Sequence, residues 1–410
     1  MKEPLITVEE ALRRVLASAS GRLGEESVAL SEACDRTLAC DINALRTQPP
    51  FANSAMDGYA LIAADAREPG ATLKLIGESA AGRAFSGRVQ SGETVRIFTG
   101  APLPEGADAI AVQEETTRDG VSVTFAAPVA AGDNVRHAGI DFADGEPLLR
   151  AGRRLTPRDI ALAAAANHAC LPCARKPRVA ILATGDELVA PGEPIGPSQI
   201  VASNNFFVLG LAEASGAVGV DLGIAKDDPQ ALAAAIRAAG DAEADVLVTL
   251  GGASVGDYDL VQAALVDAGM DLGFWKISMR PGKPLMHGRI GELRVLGLPG
   301  NPTSSAVCGW LFLAPLIRAL LGDPEAGADR TEPARLGAPM KKNGARQDYV
   351  RATLTRAADA GWIATALPDQ DSSLVKTLAL ADALIIRDIG AAAAEAGAPC
   401  RILRLEALEG

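Results

Sequence analysis

Val246-Leu247-Val248-Thr249-Leu250-Gly251-Gly252-Ala253-Ser254-Val255-Gly256-Asp257 runs from apolar and β-branched residues straight into a glycine-rich turn. Such a run, closed by a turn signal, predicts a short buried strand. The same pattern recurs on both sides of it. Upstream, Val179–Ala183 predicts a strand that ends in Thr184-Gly185-Asp186-Glu187-Leu188. A helix over Asn204–Ala214 and a strand over Val218–Ile224 follow. Asp228-Pro229 then marks a helix start, with Asp at the N-cap and Pro at the first helical position. Downstream, strands over Phe274–Ser278 and Leu293–Leu298 precede a helix that opens at Asn301-Pro302. Strand alternating with helix over residues 176–322 predicts a doubly wound α/β domain with a mostly parallel sheet.

The flanking text reads differently. Thr7-Val8-Glu9-Glu10 has the form of a capping box, which predicts a helix to about Leu16; Val28–Ala39 predicts a second. Residues 46–139 are rich in glycine and proline. Short runs such as Thr72–Ile76, Glu93–Ile97 and Gly120–Phe125 make this a β-rich insert. A helix returns at Thr156–Ala166, so residues 1–45 and 140–175 are expected to form one discontinuous α/β linking domain. Residues 323–410 carry short strands, at Tyr349–Thr355, Trp362–Leu367 and Arg401–Leu405, and predict a small β-barrel-like domain. The fold class is therefore multidomain α/β.

Composition removes several function classes. The chain has 410 residues, 48% hydrophobic and 22% charged, which is globular rather than disordered. Its net charge of −12 disfavours nucleic acid as a partner. The N-terminus has no signal-peptide core, and the apolar stretch Val307–Leu321, interrupted by Pro315 and Arg318, falls short of the ~20 residues a span needs. A cytoplasmic protein away from membranes is expected. The six cysteines form no disulfide framework. Cys170-Leu171-Pro172-Cys173 invites a zinc or redox reading, but there is no second such pair to complete a site, and a strand is the preferred reading.

The chemistry lies in the loops. Ligands of open parallel sheets bind beyond the carboxyl ends of the strands. Three such loops are unusual: Thr184-Gly185-Asp186-Glu187, Gly251-Gly252-Ala253-Ser254-Val255-Gly256-Asp257-Tyr258-Asp259, and Pro299-Gly300-Asn301-Pro302-Thr303-Ser304. Glycines let backbone N–H groups face an anion, and a helix start adds unpaired donors. Asp186, Glu187, Asp227, Asp257 and Asp259 are expected to converge nearby. Clustered acids repel unless a hard cation such as Mg²⁺ joins them; for Asp228, helix capping is the better reading. Lys276-Ile277-Ser278-Met279-Arg280-Pro281-Gly282-Lys283-Pro284 has the opposite sign. Its prolines and glycine predict a fixed turn presenting Arg280 and Lys283 together, a cation pair that calls for an oxyanion between them.

Read with Ser54-Ala55-Met56-Asp57-Gly58-Tyr59-Ala60 and Thr99-Gly100-Ala101-Pro102-Leu103-Pro104, these loops resemble the MoeA family from end to end, in order and spacing. The eukaryotic relative of that family is the E domain of gephyrin. The resemblance implies insertion of molybdate into adenylylated molybdopterin with release of AMP, the last step of molybdenum cofactor synthesis. It implies four domains and a homodimer with the active site between subunits, with a molybdopterin adenylyltransferase as a further candidate contact. Asp57, Thr99 and Asp141 would reach in from the insert. Glu187, Asp227 and Asp259 would hold Mg²⁺. The adenylylated pterin would lie on Thr184, Gly185, Asp186, Asp227, Gly251, Gly252, Ser254, Gly256, Asp259, Pro299, Gly300 and Asn301. Molybdate would be received by Lys276, Arg280, Lys283, Pro284 and Ser304, with Arg346 or Arg351 and Ser373 from the last domain. Two positions depart from the pattern: Ala52 where Asp is common, and Arg280 where Lys is frequent. Arg keeps the charge and adds a fork suited to oxyanions. Two alternatives remain at this stage, a molybdopterin adenylyltransferase and a non-catalytic scaffold like gephyrin. The insert and terminal β domain speak against the first, and the retained acids and bases against the second. Tungstate shares molybdate's shape and charge, and residue identities do not separate the two.

Overall fold

The computed structural model describes residues 5–21, 23–251, 260–358 and 360–409. At its centre is a six-stranded sheet of Arg178–Thr184 (β1), Val218–Ala225 (β2), Val246–Leu250 (β3), Asp271–Trp275 (β4), Met286–Ile290 (β5) and Leu293–Leu298 (β6), in the order β2-β1-β3-β6-β5-β4. The first four in that order are mutually parallel, and β5 runs against both its neighbours. Both faces are covered. Val179, Ile181, Val246, Val248, Leu296 and Leu298 join one core, while Ala180, Leu182, Leu247 and Val295 join the other. Strands buried on both faces have no polar side to show, which is why they read as unbroken apolar runs.

Helices Asn204–Ala214 (α1) and Pro302–Leu320 (α4) supply Val208, Leu211, Phe312 and Ile317 to the first core. Pro229–Asp241 (α2) and Leu260–Asp267 (α3) supply Leu232, Ile236, Val261 and Leu265 to the second. Asp228 caps α2, its carboxylate accepting from the Ala231 N–H at 2.8 Å, as expected. Pro315 and Arg318 do not break α4, contrary to expectation. A π turn at Gly309–Leu313 carries it through, and its 19 residues are long and apolar enough to cross a membrane by length and composition. However, 78% of that apolar stretch is buried inside the protein, so it is the core helix of the α/β domain.

Strand β5 is one that the sequence pattern does not predict. Met286-His287-Gly288-Arg289-Ile290 has little strand character of its own, but it closes a hairpin with β6 through Gly291-Glu292. That two-residue Gly-X connection is the local signal that would have revealed it. The strand expected over Phe274–Ser278 ends at Trp275, where Lys276 takes φ +95°.

Around this centre, Ala109–Val112, Gly58–Leu61, Glu93–Ile97, Thr72–Ser79, Ser122–Phe125 and Thr116–Asp119 form the insert's sheet over Tyr59, Leu73 and Phe125. Glu25–Ala29 pairs with Cys170–Ala174, and Ile42–Asn43 with Pro147–Leu149, so the chain leaves this region and returns to it. The helix expected over Val28–Ala39 is not there. A strand and a short 3-10 turn at Leu30–Glu32 take its place, and Asp35 is left-handed at φ +63°. The reason is tertiary: Val28 and Leu38 are buried against Leu171 and Cys173 on the returning strand. Cys170 and Cys173 are strand residues, the first exposed and the second buried. Thr7 caps the N-terminal helix Val8–Ala17 by accepting from Glu10 N–H at 3.2 Å. The Glu10 carboxylate pairs with Arg13 and Arg14 instead of closing the capping box.

At the C-terminal end, Glu332–Leu336, Gln347–Arg356, Trp362–Ala366, Ala383–Arg387 and Pro399–Arg404 close into a five-stranded barrel. Met279–Arg280 adds itself to the barrel in parallel with Gln347-Asp348. A second tie is Arg351, only 1% exposed, which donates to Thr303 Oγ1 at 3.1 Å, Leu374 O at 3.3 Å and Asp371 O at 2.8 Å. It thereby joins a barrel strand to the start of α4. Replacing Arg351 with Met leaves those oxygens buried without donors. We expect a loss of about 3 kcal/mol, measurable as a lowered denaturation midpoint.

Candidate active site

Two regions of the α/β domain's carboxyl edge carry opposite charge. The acidic one is built by the loops after β1 and β2. Gly185 has φ +148°, and a Cβ there would fall 2.4 Å from Glu187 Oε2, so only glycine lets that carboxylate fold over the turn. Asp227 donates its N–H to Asp186 Oδ1 at 3.3 Å. The Asp227 carboxyl is pushed above its ordinary pKa, first by burial and then by the negative charges of Asp186 and Glu187. Thr184 donates its hydroxyl to Leu250 O at 3.4 Å, tying the first loop to the end of β3. Gly251, at φ +100°, lets the chain pass Thr184, where a Cβ would lie 2.7 Å from the Thr184 carbonyl oxygen. Gly300 follows β6 beside it, its carbonyl accepting from Asn204 Nδ2 at 2.6 Å. Among the described residues, no group of three or more His, Cys, Asp or Glu is spaced to hold a metal ion. Gly252, Ser254, Gly256, Asp257 and Asp259 lie outside the described residues.

The basic region is a cavity of about 500 Å³ between the Arg280–Pro284 turn, the start of α4 and the barrel. Arg280, Lys283, Arg346, Asn301 and Ser304 line it. Gly282, at φ +116°, makes the turn possible, since a Cβ there would lie 2.8 Å from Cys308 Sγ and from Met279 Cε. The cation pair is not bare as expected. Arg280 is ion-paired with Asp348, a buried carboxylate delivered by the barrel strand. Asp348, Gln370, Asp371 and Ser372 also line the cavity, and sequence reading missed all four. No local signal marks Asp348, because its partner lies 68 residues away in the chain. Asn301 Nδ2 donates to Ser372 Oγ at 3.0 Å, which pins the α4 start to the barrel loop.

Other expected residues stand aside from this cavity. Lys276 places Nζ 3.7 Å from the Trp275 ring centroid. Pro284, Pro299, Arg351 and Ser373 are not among its lining residues. Ser373 instead donates its hydroxyl and N–H to Asp371 Oδ1, at 2.7 and 2.8 Å. A larger cavity, about 680 Å³, lies between the N-terminal helix, α4 and the barrel, and none of the expected residues lines it.

On the insert, Asp57 and Thr99 are together. The Thr99 N–H and hydroxyl both donate to Asp57 Oδ1 at 2.8 Å. These two bonds, the backbone one foremost, hold the Asp57 carboxyl below its ordinary pKa. Gly58 is required beside it, because a Cβ there would overlap the Ala111 carbonyl oxygen at 1.9 Å. Asp141 is exposed, on a backbone tied to Gln48 O at 3.1 Å. Among the described residues, no hydrogen bond or ion pair joins Asp57, Thr99 or Asp141 to the α/β side.

A parallel α/β edge carrying acids, set beside a cationic cavity closed by a barrel, defines a protein class that handles a phosphorylated or oxyanionic ligand. Residues 6–167 match the MoeA N-terminal region (domain I and II), residues 180–319 a "probable molybdopterin binding domain", and residues 333–405 the MoeA C-terminal region (domain IV). A molybdopterin molybdenumtransferase from Haemophilus influenzae is 38% identical over 78% of this chain and 79% of its own length. One from Bacillus subtilis is 35% identical over 98% and 94%. A crystal structure of a molybdopterin biosynthesis MoeA protein from Pyrococcus horikosii superposes with a TM-score of 0.85, at 30% identity, over 98% of this chain and 99% of that one. The chain belongs to the molybdopterin molybdenumtransferase (MoeA) family, a family of transferases.

The raised Asp227 pKa has a defined consequence for stability. A carboxyl whose folded pKa lies above its unfolded one costs stability once it ionises. The cost is absent below the unfolded pKa and grows as pH rises through the folded one. Asp227→Asn is therefore expected to raise the melting temperature at neutral pH in chelator, with the gain vanishing in acid. Equal melting of variant and parent across pH 4 to 8 would show that ionising Asp227 carries no such cost.

Proposed function

We propose that this enzyme transfers molybdate onto adenylylated molybdopterin and releases AMP, completing the molybdenum cofactor. The observation that carries the reading is the cavity that brings Arg280, Lys283, Arg346 and Ser304 together, on a domain of molybdopterin-binding type. Molybdate is a tetrahedral dianion. A guanidinium fork, an ammonium and a hydroxyl are the donors that suit it. Of the last-domain arginines, Arg346 is the better receiver, since Arg351 spends its N–H groups on carbonyl oxygens and Thr303.

The acid loops fit Mg²⁺. Asp227 is repelled by Asp186 and Glu187, and a hard divalent cation relieves that repulsion. Glu187 and Asp227, with Asp259, would hold it. When bound, it would neutralise charge on the substrate's pyrophosphate. The protein's own part is positioning. The turns at Gly185, Gly251 and Gly300 let the backbone approach the substrate, and the cationic cavity holds molybdate in line with the dithiolene. Asp57, oriented by Thr99, has no partner on the α/β side among the described residues. We infer that it completes the site of a second copy, in a cytoplasmic homodimer that takes its substrate from a molybdopterin adenylyltransferase.

The decisive assay is AMP release from adenylylated molybdopterin with molybdate present; no release from the parent chain would sink the reading. Lys283→Ala should raise the half-saturating molybdate concentration by roughly tenfold or more, the loss of one charge-assisted bond. An unchanged concentration would remove Lys283 from the oxyanion site. Mixing inactive Asp57→Ala and Glu187→Ala chains should restore part of the activity once heterodimers form. Confirmed heterodimers that stay inactive would argue against a shared site.

A further inference from the structure

The cationic cavity contains carboxylates that an anion site does not require, and one of them, Asp348, is bonded to its arginine. The Asp348 side chain is 7% exposed on the cavity wall and is ion-paired with Arg280, whose side chain is 60% exposed. The contact is fixed by backbone, because Met279–Arg280 pairs in parallel with Gln347-Asp348 and sets Arg280 opposite Asp348. Arg280 Nη2 donates to Asp348 Oδ2, and no other hydrogen bond from this guanidinium is seen among the described residues. The rest of its five donors remain open to a ligand. Lys283 and Arg346 also line the cavity, and neither side chain has a hydrogen bond or ion pair among the described residues. Asp371 is a second carboxylate at the rim, with one oxygen engaged by Ser373.

A carboxylate bonded to the guanidinium that receives an oxyanion opposes that oxyanion in two ways. It occupies one of the N–H groups, and its own negative charge repels a dianion brought to the same guanidinium. Shape alone does not require it, since the parallel pairing of Met279–Arg280 is made by backbone groups. We propose that Asp348 is an affinity-limiting competitor for molybdate. It occupies Arg280 when the cavity is empty and keeps the cavity's hold on the anion weak, so that molybdate is passed to the dithiolene rather than retained. Tight ground-state binding of a substrate that must leave the site does not speed its transfer. This inference rests on reading the cavity as the molybdate site. It adds a positioning residue that sets affinity.

The test is calorimetric titration of the full chain with sodium molybdate, beside AMP-release kinetics. Asp348→Asn keeps the shape and removes the charge. It should bind molybdate about fivefold tighter, with a lower half-saturating concentration and a lower kcat. Asp348→Ser should shift affinity in the same direction, and Asp348→Glu should stay near the parent. A general structural defect loosens binding and does not tighten it, so the sign of the shift separates the two roles. Asn and Ser variants that bind no tighter than the parent would overturn the proposal, as would failure of both to fold, which would assign Asp348 to the barrel. If Lys283→Ala and Arg346→Ala bind molybdate like the parent, the cavity is not the oxyanion site and the broader reading fails. If those two weaken binding and Asp348→Asn does not tighten it, only the role of Asp348 fails.

Discussion

Two residues of backbone, Met279–Arg280, leave the α/β domain and join the barrel beside Gln347-Asp348. The basic side of the site depends on that short parallel pairing. It sets Arg280 against the barrel wall, and the Pro281–Pro284 turn then presents Lys283 to the same cavity as Arg346. Arg351 and the Asn301–Ser372 bond hold the other margin, tying the start of α4 to the loop after Trp362–Ala366. Neither domain alone contains the cavity. The barrel is therefore part of the cavity wall and not an appendage to the α/β domain.

Charge is separated deliberately along this edge. The acids sit where β1 and β2 end, the first loop folded tightly at Gly185, and the Asp227 carboxyl is raised first by burial and then by the charges of Asp186 and Glu187. The bases sit past β4 and at the barrel. An adenylylated dithiolene substrate has a pyrophosphate that benefits from a cation and a sulfur pair that must meet an oxyanion. An edge with acids at one end and bases at the other matches those two demands without mixing them. Asp348 and Asp371 are the exceptions, negative groups that line the basic cavity, and of the two Asp348 is the one ion-paired with Arg280.

Asp57 and Thr99 show how a site can be assembled within a chain and still lack a partner there. Two bonds to one carboxylate oxygen, and a glycine without which strand Gly58–Leu61 could not approach Ala111, make this an ordered, half-buried acid. Among the described residues no hydrogen bond or ion pair joins it to the α/β side, which is the physical basis for proposing that it serves a second copy.

The strands buried on both faces, the Asp228 cap and the turns at Gly185, Gly251 and Gly300 were legible in the sequence, because burial and turn geometry act on neighbouring residues. So was the Arg280–Pro284 turn, where two prolines limit the backbone locally and Gly282 supplies the positive φ. What tertiary structure decided were the contacts between distant segments. Val28–Ala39 gave up its helical pattern because Val28 and Leu38 are buried against the returning strand Cys170–Ala174. Strand β5 exists because β6 pairs with it, and α4 passes Pro315 by way of a π turn inside a packed core. Arg351, expected at the oxyanion, is instead surrounded by carbonyl oxygens, while Asp348, which no pattern marked, stands at Arg280. Spacing along a chain reports periodicity and turns. It carries no record of which charge will lie opposite another once two domains close on each other.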